Sequence, residues 1–438
     1  MKVSVIGLGY VGAVTGACLA RDGHEVLGID LDLTKLKLLA EGKAPIIEEG
    51  IEEITREAAQ SGRLTVTDVL DNKIASCDLI FVCVGTPSAP NGSQDLSAVK
   101  RVAEQIGAAL KDCEGFPVVV LRSTVYPGST EAVVKPVLEK HADGLVGKDF
   151  GLCFQPEFLR EGSSVKDFYN PPFTVVGSEC EQSADRVRQL FGDFPGEFVT
   201  TSFSAAEMLK LTCNVFHALK ISFANEVGRI AKSLDVDSRE VMELVCMDKS
   251  LNISPTYMRP GFAYGGSCLP KDLRAMLYLA RTNDVELPVM QGVQGTNGVH
   301  IQHAADIVMS SGSRKVGMVG LSFKPGTDDL RESPLVTLAE TLIGKGYDLR
   351  IHDPAVNLAR LIGSNKRFIE ETIPHIESLL TDNLVKVLEH ADVLVVGQNH
   401  QDLARLLDTK AEREPVVIDL VGLSDTDVAG TTYHGVCW

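Results

Sequence analysis

The sequence predicts an α/β protein with two doubly wound domains, which are joined by a long central helix and a helical middle segment. Three observations predict this class. A glycine-rich turn follows the first apolar strand, the same order of strands returns in the last third of the chain, and a long proline-free helical pattern lies between them. A chain of 438 residues is too long for one ordinary domain. We therefore predict three domains, at residues 1–202, 203–300 and 301–438.

The charge and the cysteine pattern restrict the class of protein. Asp and Glu number 59 against 42 Lys and Arg, and the formal net charge of −17 would repel nucleic acid and anionic membranes. No apolar run reaches the roughly 18 residues of a membrane span. The first 20 residues loosely imitate a signal peptide, but their glycines and the strand that follows favour a mature fold. The ten cysteines have no repeated spacing, as is typical of reduced thiols. We expect a cytoplasmic protein that binds neither nucleic acid nor membranes, and no metal site is predicted.

A dinucleotide-binding fingerprint opens the chain. The apolar run at 2–8 leads into a turn with Gly7, Gly9 and Gly12, a helical stretch follows, and the next strand ends at Asp30. In this context Gly7 allows the tight turn, Gly9 lets the backbone approach a pyrophosphate, and Gly12 lets helix and strand pack closely. The helix N-terminus favours the phosphates. Asp30 would accept hydrogen bonds from ribose hydroxyls and repel a 2′-phosphate, so the pattern predicts NAD rather than NADP.

Two further strands of the first domain end next to threonines. The runs at 77–87 and 116–125 are apolar, and Thr86 and Thr124 lie at or just past their carboxyl ends. Ligands of open α/β sheets bind at that edge. Each threonine is a candidate ligand contact, and a turn or capping residue is the alternative for either one.

The last third of the chain repeats this order of strands. The matching runs lie at 314–323, 348–354, 391–399 and 414–422. Asp353 stands near the place of Asp30, but the glycine fingerprint is missing and the turn contains Lys324 instead. The pattern predicts a second Rossmann-like domain. Lys324 either meets a phosphate there or is a solvated loop lysine.

The helical pattern at 204–232 carries a narrow polar strip. At about 100° per residue, Lys210, Asn214, His217 and Asn225 fall within roughly an 80° arc, and apolar residues cover much of the remaining surface. The pattern predicts a largely buried helix whose polar strip lines a ligand site, with a solvent-exposed face as the alternative. A helix of this length is also a candidate subunit interface.

Cys268 is predicted to be a nucleophile. It follows two glycines and a serine, and the helical pattern that begins at Pro270 places it at or near a helix N-terminus, close to Lys271. Both features favour the thiolate. Gly265 and Gly266 are expected to leave room for a ligand to approach. The alternative is a buried apolar cysteine, which is the usual state of this residue type.

A thiolate gives a dehydrogenase a second oxidation. An alcohol that loses hydride becomes an aldehyde, and addition of the thiolate makes a thiohemiacetal. The thiohemiacetal can lose a second hydride to give a thioester, from which water releases the acid. Asp272 is placed to act as a base or to orient one. Glu157 and Glu161, spaced i,i+4, offer a carboxylate that can activate the water.

Several motifs together resemble one enzyme family. They are GLGYVG, CVGTP, RSTV followed by PGS, PEFLREG, EMLKLTCN, GFAYGGSCLPKD and SFKPGTDDLRESP. Spread over nearly the whole chain, they are similar to the UDP-glucose/GDP-mannose dehydrogenase family. The resemblance implies a four-electron oxidation of a sugar 6-hydroxyl to a uronate with two NAD⁺, and Cys268 as the nucleophile. It also implies an intertwined homodimer with shared active sites.

The resemblance implies roles for individual residues as well. Lys210, Asn214 and Asp272 would hold the reacting oxygen or a water, and Glu161 would serve hydrolysis. Contacts to NAD are implied for Tyr10, Val11, Asp30, Lys35, Thr86, Thr124, Lys271 and Arg331. Contacts to a GDP-sugar are implied for Glu161, Lys210, Asn214, His217, Asn225 and Lys324, and across the dimer for Thr256, Tyr257, Arg259, Phe262 and Gly265. The family pattern carries an arginine and a tyrosine where Pro255 and Thr256 stand.

Alternatives to this interpretation remain open. Within the family, TCNVFHALKISFANE, MRPGFAYGGSCLPKD and GVCW favour GDP-mannose as the substrate and GDP-mannuronate as the product, and a UDP-sugar with the same chemistry is the alternative. Another alternative is a two-electron hydroxyacid dehydrogenase in which Cys268 is structural. Such an enzyme needs neither the second α/β domain nor the thiol. A third alternative is a non-catalytic, NAD-binding redox sensor that signals through Cys268. It would give Lys210, Asn214 and Glu161 no role. A neighbouring pathway of alginate-type polysaccharide biosynthesis is implied by the resemblance alone.

Overall fold

The chain folds as two α/β units. The structure is a computed structural model that describes residues 1–87, 93–111, 113, 115–160, 162–254, 256–257, 260–266, 268–323, 330–356, 378–408, 415–423 and 432–437. The two compact units are Met1–Ala218 and Leu219–Trp438. Each contains a sheet of mainly parallel strands with helices packed against it, which confirms the predicted fold class. The domain boundaries at residues 202 and 300 stay a prediction.

The first unit is built on an eight-stranded sheet. Its strands are β1 (Lys2–Ile6), β2 (Glu25–Ile29), β3 (Leu64–Thr67), β4 (Leu79–Val82), β5 (Val118–Leu121), β6 (Gly151–Phe154), β7 (Phe173–Gly177) and β8 (Glu197–Thr201). Its helices are α1 (Tyr10–Arg21), α2 (Leu33–Ala40), α3 (Ile51–Gln60), α4 (Ser97–Leu110), α5 (Lys135–Ala142), α6 (Ser164–Tyr169), α7 (Glu181–Phe191) and the start of α8 (Phe203–Ser233). A π-helical turn at Thr130–Val134 leads into α5. The strand order is β3-β2-β1-β4-β5-β6-β7-β8, and β6 and β7 form the antiparallel pair.

The central strands of this sheet are buried on both faces. Val5 and Phe81 belong to an apolar cluster with residues of α1 and α7, whereas Ile6, Ile80 and Val82 belong to another with residues of α4 and the start of α8. A strand covered on both faces is apolar at successive positions. This double burial explains why β1, β4 and β5 are nearly continuous apolar runs in the sequence.

The second unit contains a five-stranded parallel sheet. Its strands are β9 (Lys315–Val319), β10 (Asp348–His352), β11 (Val393–Val396), β12 (Val416–Asp419) and β13 (Tyr433–Gly435), in the order β10-β9-β11-β12-β13. Its helices are the end of α8, then α9 (Ser238–Met247), α10 (Leu269–Thr282), α11 (Pro288–Ser310), α12 (Pro334–Gly344), α13 (Leu384–His390) and α14 (Leu403–Asp408). The carboxyl half of α11 packs with α12 in the largest apolar cluster of this unit.

The first turn of the two sheets is the same in atomic detail. Gly7 and Gly320 have φ angles of +91° and +93°, and each donates its N–H at 2.8 Å to the last residue of the neighbouring strand, β2 or β10. The N–H of the next residue donates to Asp30 at 2.6 Å in the first unit and to Asp353 at 2.8 Å in the second. A positive φ favours glycine. The predicted correspondence of Asp30 and Asp353 is confirmed.

Helix α8 confirms the long helical pattern but not its predicted burial. It runs for 31 residues and crosses from the first unit into the second. Met208, Val215, Leu219 and Phe223 are 55%, 68%, 48% and 42% exposed, so the expectation of a largely buried helix is wrong for the single chain. The physical reason is that an apolar stripe predicts burial without stating which molecule covers it. No helix in the described part of the chain has the length and apolar character of a membrane span.

Candidate active site

The glycine turn leaves one position open to a ligand. A Cβ atom at Gly7 would lie 2.9 Å from the backbone nitrogen of Val84, and one at Gly12 would lie 1.9 Å from the Gly7 carbonyl oxygen. A Cβ at Gly9, the N-cap of α1, would meet no described atom within 4 Å. Val11 follows in the first turn of α1 and is half-buried. Packing therefore requires Gly7 and Gly12, whereas Gly9 exposes the helix N-terminus, which attracts phosphate.

A cavity of about 330 Å³ lies beside this turn, at the carboxyl ends of β1 and β2. Gly7, Gly9, Asp30 and Lys35 of the predicted cofactor set line it together with Arg101. The Nζ of Lys35 lies 3.5 Å from Oδ2 of Asp30. The cavity thus combines an acid for hydroxyl donors, two cations and an open glycine, and these groups fit the adenosine and diphosphate of NAD.

Tyr10 connects the glycine turn to a distant loop through Glu48. Its hydroxyl donates to Glu48 Oε1 at 2.5 Å. Glu48 also accepts the N–H of Gly162, and both the N–H and the hydroxyl of Ser164 at 3.1 and 2.9 Å. Burial by itself raises the pKa of Glu48, but these hydrogen bonds outweigh it and hold the pKa below its usual value. The start of α1 is therefore tied to the segment that follows Glu161.

The structure brings the two predicted threonines together. The hydroxyl of Thr86 donates to the backbone carbonyl of Thr124 at 2.7 Å. The neighbouring Ser123 hydroxyl donates to the carbonyl of Val84 at 2.6 Å. These bonds lock the loops after β4 and β5 side by side at the carboxyl edge of the sheet, where ligands of this fold bind.

Lys210 forms a nearly buried ion pair at the start of α8. Its Nζ lies 3.0 Å from Oε1 of Glu157 and donates to the backbone carbonyl of the same residue at 2.6 Å. The two side chains are only 8% and 12% exposed. Asn214 and His217, which follow on α8, line the same cavity of about 500 Å³. Three members of the predicted polar strip thus meet in one cavity, whereas Asn225 lies in the second unit and is exposed.

Arg122 and Gln155 add polar atoms to the wall of this cavity. The Nε and Nη1 atoms of Arg122 and the Oε1 atom of Gln155 are buried and have no hydrogen-bond partner among the described residues. The Arg122 guanidinium lies 5.8 and 5.7 Å from the ring centroids of Phe81 and Phe191. Burial lowers the pKa of Arg122. Sequence reasoning missed both residues, because their burial is a consequence of tertiary packing.

Cys268 stands at the N-terminus of α10, as predicted. It is the N-cap residue and is exposed, and its carbonyl accepts the N–H of Asp272 at 2.9 Å. Lys271 and Asp272 are exposed, with 3.5 Å between Nζ and Oδ1. By contrast, burial raises the pKa of the thiols of Cys77 and Cys153 to about 11 and about 12. Cys268 thus combines exposure with a position at a helix N-terminus, unlike these two buried thiols.

The glycines before Cys268 are packed against protein. A Cβ at Gly265 would lie 2.4 Å from the carbonyl oxygen of Glu332, and one at Gly266 would lie 2.8 Å from the ring of Phe323. Gly266 also has a φ of +86°. On the side where a Cβ would point, the expectation that both glycines leave room for a ligand is therefore wrong, because the segment before α12 already occupies that space.

The loop before Cys268 is held against α11 and α12. Asn297 accepts the N–H of Tyr264 at 3.0 Å and donates to its carbonyl at 2.9 Å. Phe262 packs against the apolar cluster of α11 and α12. Arg274 of α10 pairs with both carboxylate oxygens of Glu332, which follows Arg331. The predicted residues Phe262, Gly265, Cys268 and Arg331 therefore belong to one region of the second unit.

The remaining predicted residues of this unit are in part described. The hydroxyl of Thr256 donates to the backbone carbonyl of Ser250 at 3.2 Å, and Tyr257 is 83% exposed with a φ of +63°. Outside the described residues lie Glu161, Pro255, Arg259 and Lys324.

Comparison with known proteins places the whole chain in one family. Three models of the UDP-glucose/GDP-mannose dehydrogenase family match: the NAD binding domain at residues 1–195, the central domain at 204–298 and the UDP binding domain at 317–426. The chain is 46% identical over 438 residues to GDP-mannose 6-dehydrogenase of Pseudomonas aeruginosa, with both chains fully covered. It is 34% identical over 430 residues to a UDP-glucose 6-dehydrogenase of Haloferax volcanii, with 96% of each covered.

Solved structures give the same result. The ternary complex of GDP-mannose dehydrogenase from Pseudomonas aeruginosa superimposes with a TM-score of 0.95 at 46% identity and full coverage of both chains. A UDP-glucose dehydrogenase from Pyrobaculum islandicum superimposes with a TM-score of 0.55 at 32% identity, covering 100% of this chain and 98% of that one. These findings confirm the resemblance found in the motifs. The chain therefore belongs to the UDP-glucose/GDP-mannose dehydrogenase family and is an NAD-dependent nucleotide-sugar dehydrogenase.

Proposed function

We propose that this enzyme oxidises the 6-hydroxyl of GDP-mannose to the carboxylate of GDP-mannuronate. The observation that carries the proposal is the gap in similarity within the family. Identity is 46% over the full chain to GDP-mannose 6-dehydrogenases of Pseudomonas and Azotobacter, against 34% and 31% to two UDP-glucose 6-dehydrogenases. A UDP-sugar is the second candidate, because the model that matches residues 317–426 is described as a UDP binding domain.

The proposed chemistry needs two oxidations and one hydrolysis. NAD⁺, when bound, accepts a hydride in each oxidation. In the first, the alcohol loses its hydroxyl proton and a hydride from C6 and becomes an aldehyde. The Cys268 thiolate then adds to the aldehyde carbon, and loss of the second hydride converts the thiohemiacetal to a thioester. Water attacks the thioester and the C–S bond breaks. The carboxylate product is released, and the thiol of Cys268 is regenerated.

The polar residues of the first unit suit the oxygen of this chemistry. Lys210 already uses two Nζ hydrogen bonds to hold Glu157, and an ammonium has three donors, so one donor remains for an oxyanion. Asn214 adds an amide in the same cavity. We assign Lys210, Asn214 and Asp272 to the reacting oxygen or water, with Glu161 serving hydrolysis. Glu157 is added as the partner that orients Lys210.

The residues of the glycine turn and its cavity are assigned to NAD. The open Gly9 and the start of α1 would hold the diphosphate, Asp30 would accept from the ribose, and Lys35 would balance charge. The remaining assignments to the cofactor are Tyr10, Val11, Thr86, Thr124, Lys271 and Arg331. His217, Asn225, Thr256, Tyr257, Phe262, Gly265, Arg259 and Lys324 are assigned to the sugar nucleotide.

The exposed apolar side chains of the central segment support a homodimer. Val215, Met247 and Tyr257 are 68%, 72% and 83% exposed. A second copy of the chain would cover such residues and supply Tyr257 and its neighbours to the partner's site. Sedimentation should then give twice the mass of the chain, and a monomer at micromolar concentration would contradict the dimer. No disulfide joins any of the ten cysteines, all of which lie among the described residues, and this supports a cytoplasmic location.

The stoichiometry of NADH tests the reaction. Purified enzyme is incubated with limiting GDP-mannose and excess NAD⁺, and NADH is counted per sugar nucleotide consumed. Two NADH support the double oxidation, and Cys268→Ser should abolish formation of the acid. One NADH, or full acid formation by Cys268→Ser, would overturn the mechanism. A higher kcat/KM with UDP-glucose than with GDP-mannose would select the second candidate.

A further inference from the structure

Glu207, in the second turn of α8, is a buried carboxylate that the proposed chemistry does not use. Its side chain is fully buried in the first unit. It accepts the N–H of Gly128 at 2.5 Å, the N–H of Thr130 at 2.8 Å and the Thr130 hydroxyl at 2.6 Å. These partners stand 77 and 79 residues earlier in the chain and belong to the loop after β5.

The partners of Glu207 form the N-terminus of a helical segment. Thr130 begins the π-helical turn that leads into α5, and unpaired N–H groups at such an end attract negative charge. Gly128 has a φ of +87°, which turns the chain into this end. A carboxylate that is fully buried needs this degree of hydrogen bonding. The contact is therefore a specific junction between α8 and the β5 loop.

The same loop carries one of the predicted cofactor residues. Thr124 lies four residues before Gly128, and its carbonyl accepts the hydroxyl of Thr86. The β5 loop is thus fixed at one end by Thr86 and at the other by Glu207. Any shift at Gly128 and Thr130 reaches Thr124 through a short stretch of backbone.

Lys210 makes the complementary contact one helical turn away. Glu207 and Lys210 are spaced i,i+3 and so face nearly the same side of α8. Glu207 accepts from the backbone of the loop after β5, and Lys210 donates to the backbone of the loop after β6. The start of α8 is also packed tightly, because a Cβ at Gly177 of β7 would lie 2.9 Å from the Cα of Phe203.

We infer that Glu207 is a positioning residue for the dehydrogenase reaction, which fixes Thr124 and Lys210 relative to each other through its bonds to the β5 loop. This inference rests on the proposed function for the role of Lys210, but its effect on cofactor binding does not depend on the sugar. Small misplacements of reacting groups are costly, since about 1 Å can lower a rate about a hundredfold. Loss of the junction should therefore lower cofactor affinity and catalysis in variants that remain folded.

Three variants separate positioning from bulk stability. Glu207→Gln keeps the shape but turns an NH₂ group toward one of the two N–H donors, because Gly128 and Thr130 donate to different carboxylate oxygens. Thr130→Val removes one hydroxyl donor with little change of volume, and remains informative if the first variant does not fold. Glu226→Gln is the matched control: Glu226 is a 2% exposed carboxylate on the same helix, and it accepts the N–H groups of Val289 and Met290 at the start of α11 in the second unit.

The readouts are the Kd for NAD⁺ by calorimetry, kcat and KM with GDP-mannose, and the Tm. Glu207→Gln should raise the Kd about tenfold and lower kcat about 10- to 100-fold, and Thr130→Val should change both in the same direction by less. Glu226→Gln should lower the Tm and leave the Kd for NAD⁺ within about twofold. The inference is overturned if folded Glu207→Gln or Thr130→Val retains the wild-type Kd and kcat, or if all three variants lose NAD⁺ affinity in proportion to their Tm. If the wild-type enzyme binds NAD⁺ without oxidising GDP-mannose, the proposed function fails, and the Kd comparison still decides the role of Glu207.

Discussion

The Nζ atom of Lys210 lies 3.0 Å from Oε1 of Glu157, and it donates to the backbone carbonyl of that same residue at 2.6 Å. One ammonium group therefore fixes both the side chain and the main chain of the loop after β6. Because both side chains are nearly buried, water cannot solvate either charge if its partner is removed. The pair sets the place of Lys210 before any substrate arrives.

Glu157→Gln tests the value of this pair. The variant keeps the volume of the side chain but leaves Lys210 as a buried cation without its counterion, and breaking a buried pair typically costs about 3–5 kcal/mol. We expect a lower free energy of unfolding in denaturant and a kcat reduced at least about tenfold. Lys135→Met is the control, because Lys135 and Glu179 form a 2.8 Å pair at the surface that is worth at most about 1 kcal/mol. Equal losses in both variants would contradict the special role of the buried pair.

Gly9→Ala should weaken the binding of the cofactor without unfolding the protein. A Cβ at Gly9 meets no described atom within 4 Å, so the substitution fits the fold, but the methyl group points where a pyrophosphate must approach. We expect the Kd for NAD⁺ to rise at least about tenfold at an unchanged Tm. Gly344→Ala, also without a described atom within 4 Å, is the control on α12. If Gly9→Ala retained the wild-type Kd for NAD⁺, the assignment of the turn to the cofactor site would be contradicted.

Limited alkylation should distinguish Cys268 from the buried thiols. A pKa of about 11 at Cys77 or about 12 at Cys153 leaves on the order of 0.1% thiolate or less at pH 8, and only the thiolate reacts. Cys246 and Cys437 are exposed like Cys268 and serve as controls for access alone. Peptide mapping after limiting iodoacetamide should find the first label on Cys268, and bound substrate should lower the extent of this labelling. Equal labelling of the three exposed thiols would argue against an activated Cys268.

Glu48→Gln should produce a stability loss that depends on pH. The hydrogen bonds from Tyr10, Gly162 and Ser164 hold the pKa of Glu48 below its usual value in the folded protein. A depressed pKa stabilises the fold above the unfolded value of about 4.5, and this contribution disappears as pH falls through the folded value. The variant should therefore be less stable than wild type near pH 7, with the difference shrinking below about pH 4.5. Glu49→Gln, at an exposed neighbour, is the control, and a difference independent of pH would contradict the assignment.

The fold was predictable because its signals are local. Each central strand is an apolar run, and the turns at Gly7 and Gly320 need a residue that tolerates positive φ. The position of Cys268 at a helix N-terminus was also predictable, because a proline in the first turn marks the helix start. The same local pattern cannot say what covers α8, which is why its predicted burial was wrong.

The polar junctions were not predictable from the sequence. Glu157 and Lys210 are 53 residues apart, and Glu207 meets its partners across 77 and 79 residues. An acid and a base at i,i+3 on a helix look like an ordinary surface pair. Burial of Glu207 and Lys210 arises only when the sheet brings the loops after β5 and β6 to the same end of α8. The packing around Gly265 and Gly266 has the same origin in distant chain segments.

The repeated turn also shows how two copies of one fold can come to differ in what they hold. A carboxylate offers about four lone-pair sites. Asp353 uses its sites on its own unit, since it accepts from the N–H groups of Leu321 and Ala355 and from both the N–H and the hydroxyl of Ser322. Among the described residues Asp30 accepts from fewer partners, which are two N–H groups and the more distant Nζ of Lys35. The second acid is thus engaged by hydrogen bonds within its own unit, so the same turn can hold a packed loop in one sheet and leave an acid available to a ligand in the other.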